Sequence, residues 1–250
     1  MNVKKIAPVG DAKRFFVTGA GAPLLNALRR TAMTSVPVLA IDEISLYNND
    51  SVMFDEMLAH RLALIPLKTD SKYKIGDTLK LLLDKEGPGT VYSRDIESTD
   101  PKVEVANKKI PITKLKKGDK LKLEAIAVMN SGKEHAKWQP GIIAYKEVPS
   151  ITNSKNCNMC KECIKACSKN LLEEKAGKIV LKDAIECTLC GECRDACSKN
   201  ALEISTTGDS FMLSIEPSGA LPTNEIISKT VEVLEKKTEE FRKEVKKKLS

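Results

Sequence analysis

Aromatic side chains are scarce in this sequence: one Trp, four Tyr and five Phe make up 4% of 250 residues. Surfaces that stack single-stranded nucleic acid are built from such rings, so their scarcity excludes that class of binder. No apolar run reaches the roughly 18 residues that a membrane helix needs, and no membrane partner is expected. The first stretch, MNVKKIAPVGDAKRFF, carries charges where a signal peptide has its apolar core. A complete dinucleotide loop is also missing. GAGAP at 19–23 offers two glycines, but Leu24 stands in the third position and no βαβ unit surrounds it. The expectation is a cytoplasmic protein without a flavin or nicotinamide site.

What is present is ordinary for a globular chain: 42% hydrophobic and 30% charged residues. The length of 250 residues permits one large or two to three small domains with ample core. The net charge of +7 is spread along the chain, which reads as solvated surface rather than a nucleic-acid stripe. Only KLKKGDKLKLE, at 114–124, is densely basic, and it alternates like an exposed strand hairpin.

All eight cysteines lie in two short stretches, CNMCKECIKAC at 157–167 and CTLCGECRDAC at 187–197. Clustered thiols in a reducing compartment bind metal more often than they pair. C-x2-C-x2-C-x3-C is the spacing of bacterial ferredoxins, in which the fourth Cys reaches the neighbouring cluster. Cys157, Cys160, Cys163 and Cys197 are therefore expected to hold one [4Fe–4S] cluster. Cys187, Cys190, Cys193 and Cys167 are expected to hold a second. The halves also match beyond the ligands, as CSKNLLE at 167–173 and CSKNALE at 197–203. The proline that commonly follows the fourth Cys is Ser168 in one half and Ser198 in the other. The competing arrangement is zinc, with Cys157 and Cys160 joined to Cys187 and Cys190. It leaves the close third Cys of each run unexplained.

The cysteine module is only part of the chain and reads as inserted into a host. PSITNSKN at 149–156 is expected to be a linker. TTGDSFMLSIEPSGALPTNE predicts a turn, a strand over 210–216 and another turn. A hairpin is expected around Gly10 and Asp11. A helix is expected from Pro23 onward, with Leu24, Leu28 and Ala32 on one face and Arg29 and Arg30 off it. The clearest helix starts near Thr223. Ile227, Val231, Leu234, Thr238, Phe241 and Val245 follow it in steps of four and three, the pacing of a seam for a partner helix. At about 25 residues it spans about 37 Å, which favours a partner over the chain's own core.

NALRRTAMTSVPVLAID (26–42), DEMLAHRLALIPL (55–67), GKEHAKWQP (132–140) and FMLSIEPSGALPTNEII (211–227) occur in this order. With these stretches the chain resembles the D-type subunit of archaeal RNA polymerase, related to the bacterial alpha subunit and the third-largest subunit of eukaryotic polymerase II. Some members of that family carry a ferredoxin-like insertion. The resemblance implies an α+β fold in four parts. Residues 1–45 and 208–250 would form a dimerisation domain pairing with subunit L. Residues 46–150 would form an insert domain that anchors the large catalytic subunits, and 151–207 a ferredoxin-like domain with two [4Fe–4S] clusters. Small assembly subunits are implied as further partners. Arg29 and Arg30 match the family's paired arginines, on a helix that faces the large subunits. Ile227, Val231, Leu234, Phe241 and Val245 would meet subunit L. His60 and His135 fall in matching stretches and read as structural histidines. The DxDxD pattern that would hold catalytic magnesium is absent, so no catalytic residue is expected.

Two functions compete. The cysteines by themselves suggest an electron carrier or an iron–sulfur oxidoreductase subunit. The ordered match along the host favours an assembly scaffold.

Overall fold

The computed structural model describes residues 1–249. Gly10 and Asp11 form the expected two-residue turn between β1 (Asn2–Val9) and β2 (Ala12–Thr18), with Gly10 at φ +57°. Gly21 then opens α1 (Ala22–Ser35). Its carbonyl accepts from the N–H groups of Leu24 and Leu25 at 3.1 and 3.4 Å, and Pro23 occupies the first turn, where its missing N–H is not needed.

The buried face of α1 differs from the expected one. Leu24 is 44% exposed, whereas Leu25 and Ala32 are buried, and so is Val36 just beyond the helix. Residues 25, 29, 32 and 36 follow steps of four, three and four, which keep a stripe in line on a 3.6-residue helix. Val36, fully buried where the next strand begins, fixes the rotation. Arg29 therefore lies half-buried on this stripe, with neighbours that engage it, rather than off it. Arg30 is exposed as expected.

There follow β3 (Pro37–Asn49), α2 (Asp55–Ala63), β4 (Thr78–Glu86), β5 (Gly89–Tyr92), β6 (Glu97–Ser98), β7 (Pro111–Leu115) and β8 (Lys120–Ser131). One sheet has the order β3-β8-β4-β6. Strict alternation places Leu121, Leu123, Ala125, Ala127 and Met129 of β8 on one face. The antiparallel register sets Leu39 opposite Met129 and Leu81 opposite Ala125, so β3 and β4 add to the same face. Leu58 and Leu62 of α2, one turn apart, are buried in the same core. The segment 114–124 is not a hairpin. β7 pairs with β5 in a separate two-stranded sheet, and β8 pairs with β3 and β4. Alternation sets which face a strand buries, but its partner is chosen by the rest of the chain.

Gly132, just after β8, lies against α1. A Cβ there would sit 2.0 Å from the Met33 carbonyl oxygen and 2.8 Å from Cγ of Gln139. Backbone cannot retreat from such a contact without moving the helix. Gly132→Ala is expected to cost about 1–3 kcal/mol by overpacking, read as a lower midpoint in urea. An unchanged midpoint would show that α1 yields freely. Near this turn, Trp138 donates from Nε1 to the Val128 carbonyl at 2.9 Å, and His135 accepts from the Lys137 N–H at 3.1 Å. His135 and His60 are both exposed, and His135 also meets the Trp138 ring edge-on.

The chain continues with β9 (Gly141–Asn153), α3 (Glu162–Ala166), β10 (Leu172–Lys175), β11 (Lys178–Leu181), α4 (Glu192–Asp195), β12 (Leu202–Pro217) and α5 (Thr223–Leu249). Two expectations are corrected here. The supposed linker at 149–156 is strand as far as Asn153. The supposed turn at 206–209 lies inside the 16 residues of β12, where Gly208 takes φ +72°. A second sheet has the order β1-β2-β12-β9. Pro149 lies in β9, an edge strand of this sheet, where proline is found more readily than in a central strand.

The chain divides into two compact units. One comprises Met1–Val9, Lys13–Asn26 and Ala144–Ser214; the other comprises Gly10–Ala12, Ala27–Ile143 and the chain from Ile215 onward. Among the described residues, no helix is long and apolar enough to cross a membrane.

Candidate metal centre and partner faces

The two cysteine runs fold alike. Along each, the four cysteines are in turn half-buried, exposed, buried and half-buried. Each run turns tightly before a short helix. Met159 and Lys161 in the first run, and Leu189 and Gly191 in the second, have positive φ between 56° and 85°. Asn170 and Asn200 repeat the feature at 53° and 48°. A left-handed residue other than glycine costs about 1–3 kcal/mol and persists where its surroundings over-determine it, often at a ligand clamp.

The cysteines meet across the repeat. Cys157, Cys160, Cys163 and Cys197 line one pocket together with Met159, Ile179 and Leu202. Cys187, Cys190, Cys193 and Cys167 line another, with Ile151, Leu181 and Ile204. Among the described residues no group of three or more His, Cys, Asp or Glu side chains is gathered as it would be around a single ion. The fourth Cys of each run accepts a backbone hydrogen bond at sulfur: Leu171 N–H to Cys167 Sγ at 3.4 Å, and Ala201 N–H to Cys197 Sγ at 3.2 Å. Burial pushes the Cys163 and Cys193 thiols up from their ordinary pKa, while the Ala201 N–H pulls Cys197 down. Four soft donors, a largely apolar lining and backbone N–H groups that donate to sulfur fit an iron–sulfur group. When bound, such a group supplies cross-linking and one-electron chemistry.

Two contacts at the second cavity were not foreseen from the sequence. Lys146 of β9 donates to the Cys187 carbonyl at 2.7 Å, and Arg14 of β2 pairs with Glu186. Burial draws the Lys146 ammonium pKa down, and the Glu186 carboxylate opposes the shift. The available signal was the mismatch of Glu186 with Asn156 in an otherwise close repeat.

Helix α5 has two different faces. Ile226 and Thr230 are buried, and Lys237 Nζ reaches Ser35 Oγ at 3.0 Å, so this side lies on the chain's own unit. The other side carries the expected seam. Phe241 is 71% exposed, Ile227 and Val231 are exposed, and Leu234 and Val245 are half-buried. The helix begins at Thr223, as expected, and the Pro222 carbonyl accepts from the Ile226 N–H at 3.1 Å. A further group of exposed apolar residues was missed: Tyr47, Val52, Phe54, Met57 and Leu64. A register shift between Leu46 and Asn48 marks the place of Tyr47 in β3. The signal was available in SVMFDEM, an apolar stretch just before a helix.

The fold and cysteine module together define a class. Residues 43–145 match the RNA polymerase Rpb3/RpoA insert domain, and residues 156–202 match the 4Fe-4S dicluster domain. The chain is thus an α+β protein of the polymerase alpha type carrying an iron–sulfur module. Three relatives extend the likeness over nearly the whole length, each described as DNA-directed RNA polymerase subunit Rpo3. That of Methanothermobacter thermautotrophicus is 41% identical over 90% of this chain and 92% of the relative. That of Archaeoglobus fulgidus is 40% identical over 92% of both. That of Thermococcus kodakarensis is 39% identical over 95% of both. The chain belongs to this family of archaeal polymerase subunits.

Proposed function

We propose that this chain is a non-catalytic assembly platform of a DNA-dependent RNA polymerase, acting in the cytoplasm. Residues 1–45 and 208–250 serve as the dimerisation domain and pair with subunit L. Residues 46–150 anchor the large subunits, and 151–207 hold two [4Fe–4S] clusters in a structural or regulatory role. The observation that carries this reading is the division of α5. Its inner face is covered by the chain itself, whereas Ile227, Val231 and Phe241 are left to water along one side. A seam of that pacing needs a second helix. The exposed apolar residues Tyr47, Val52, Phe54 and Met57, close together in sequence, support a further partner contact on the insert domain. Arg29 and Arg30 are proposed to contribute to the large-subunit contact from α1.

Co-expression with subunit L, followed by size-exclusion chromatography with light scattering, tests the reading. One-to-one complexes are expected. Self-association undiminished by subunit L would overturn it. The metal content is tested on the same anaerobic protein: about eight iron and eight acid-labile sulfide per chain are expected for two cubanes. Zinc at about two per chain without sulfide would instead support thiolate zinc sites. An electron carrier accounts for residues 156–202 but leaves the polymerase-type insert domain without a purpose.

A further inference from the structure

The repeat is broken where the sheet takes hold of it. Cys187 is preceded by Glu186, while Cys157 is preceded by Asn156. Glu186 pairs with Arg14 of β2, and its carbonyl accepts from Lys169 Nζ at 3.3 Å. The next carbonyl, that of Cys187, accepts from Lys146 of β9. Arg14 is only 8% exposed, and its Nε is buried without a partner in the protein. Two cations from the sheet are thus fixed largely out of water beside Cys187, and the single Glu186 carboxylate offsets one of them, which leaves a net positive charge there. The segment before Cys157 is held otherwise. Ser154 accepts from the N–H groups of Asn156 and Cys157 in a local turn, and among the described residues no ion pair engages it. The cations that line the cavities themselves, Lys161 and Lys199 at the first and Lys169 at the second, are exposed, and Lys161 is paired with Glu174 at 2.6 Å. Exposed charges are screened by water and salt, and buried ones much less.

We propose that Arg14 and Lys146 are positioning residues for the second centre alone, and that their charge makes the cluster at Cys187, Cys190, Cys193 and Cys167 the one that takes up an electron first. The proposal rests on the two-cluster reading. An external one-electron donor such as dithionite adds one negative charge to a site on reduction. A cation fixed beside it out of water favours the reduced form, since charge, hydrogen bonding and exposure set the potentials of such groups.

The test is a potentiometric titration of anaerobic protein with dithionite at pH 7, followed by electron paramagnetic resonance. Two one-electron steps are expected. Lys146→Met should lower the upper step by about tenfold in its reduction equilibrium, 59 mV for one electron, and leave the lower step in place. Lys146→Arg should restore it, and Arg14→Gln should lower the same step. Replacing Cys157, Cys160 and Cys163 by Ser should remove the lower step only. If that variant does not fold, Lys146→Met with its Arg rescue decides alone. With iron and sulfide unchanged, movement of neither step, or of both equally, overturns this proposal and leaves the two clusters standing. Zinc without sulfide overturns the two-cluster reading, and this proposal with it.

Discussion

Changing Leu234 and Phe241 together to Asp is expected to abolish pairing with subunit L and to leave the isolated chain folded. Both residues belong to the outward seam of α5. Phe241 is 71% exposed and Leu234 half-buried, while the inner face is held by Ile226, Thr230 and the Lys237–Ser35 contact. A carboxylate at Phe241 is solvated in the free chain and costs little there, and one at half-buried Leu234 keeps access to water at its edge. In a paired seam it would be buried without a partner, which is strongly unfavourable. A loss of about 2 kcal/mol at each position, at 1.4 kcal/mol per tenfold, weakens pairing nearly a thousandfold. The measurement is co-purification at micromolar concentration, with circular dichroism of the free variant as the folding control. A double variant that still elutes as a one-to-one complex would show that subunit L uses another face.

Replacing Cys157, Cys160 and Cys163 by Ser is expected to destroy one cluster and loosen the module around it. Hydroxyls are poor substitutes for soft thiolates. The buried core of this module consists mainly of Cys163, Leu172, Ile179, Cys193 and Leu202, two of them proposed ligands. So small a core depends on its metal group for folding free energy. The left-handed residues Met159 and Lys161 would lose the group that compensates their cost. The seam of α5 is untouched, so pairing with subunit L should persist. Incorporation of the large subunits should slow, through lost contacts or a loosened module in their path. Polymerase that does assemble should elongate at the normal rate, because no catalytic group has been removed. A reconstitution time course scores heterodimer, full assembly and activity per assembled enzyme. Normal assembly with lost elongation would remove the scaffold role of the clusters and indicate electron transfer or catalytic coupling.

Much of this protein is legible in its sequence. The cysteine spacing is a local property, fixed by how far a thiol reaches around a turn, and it already implies which cysteine of each run crosses to the other half. The cavities gather Cys197 with the first run and Cys167 with the second. The steps of four and three along α5 are equally local. They separate Ile227 and Val231 from Ile226 and Thr230, because a helix converts spacing directly into direction. The hairpin at Gly10 and the start of α1 at Pro23 follow from single residues with restricted or permissive backbones.

What required the tertiary structure was the choice of partners across long separations. The strands at 114–124 have the right alternation for a hairpin, yet each pairs elsewhere, because a pleat specifies a face and not a neighbour. The rotation of α1 was set by burial of Val36, outside the helix, which drew Arg29 inward and left Leu24 in water. Residues 149–153 and 206–209 read as linker and turn from Pro, Ser, Asn and Gly. They became strand because β9 and β12 belong to one sheet, and its ladder outweighs weak local preferences. Lys146 and Arg14 show the same limit most sharply. Each is an ordinary basic residue in sequence, 41 and 172 positions from its contact. Only the closing of the sheet over the second cysteine run brings such charges to a metal site, and no spacing rule spans that distance.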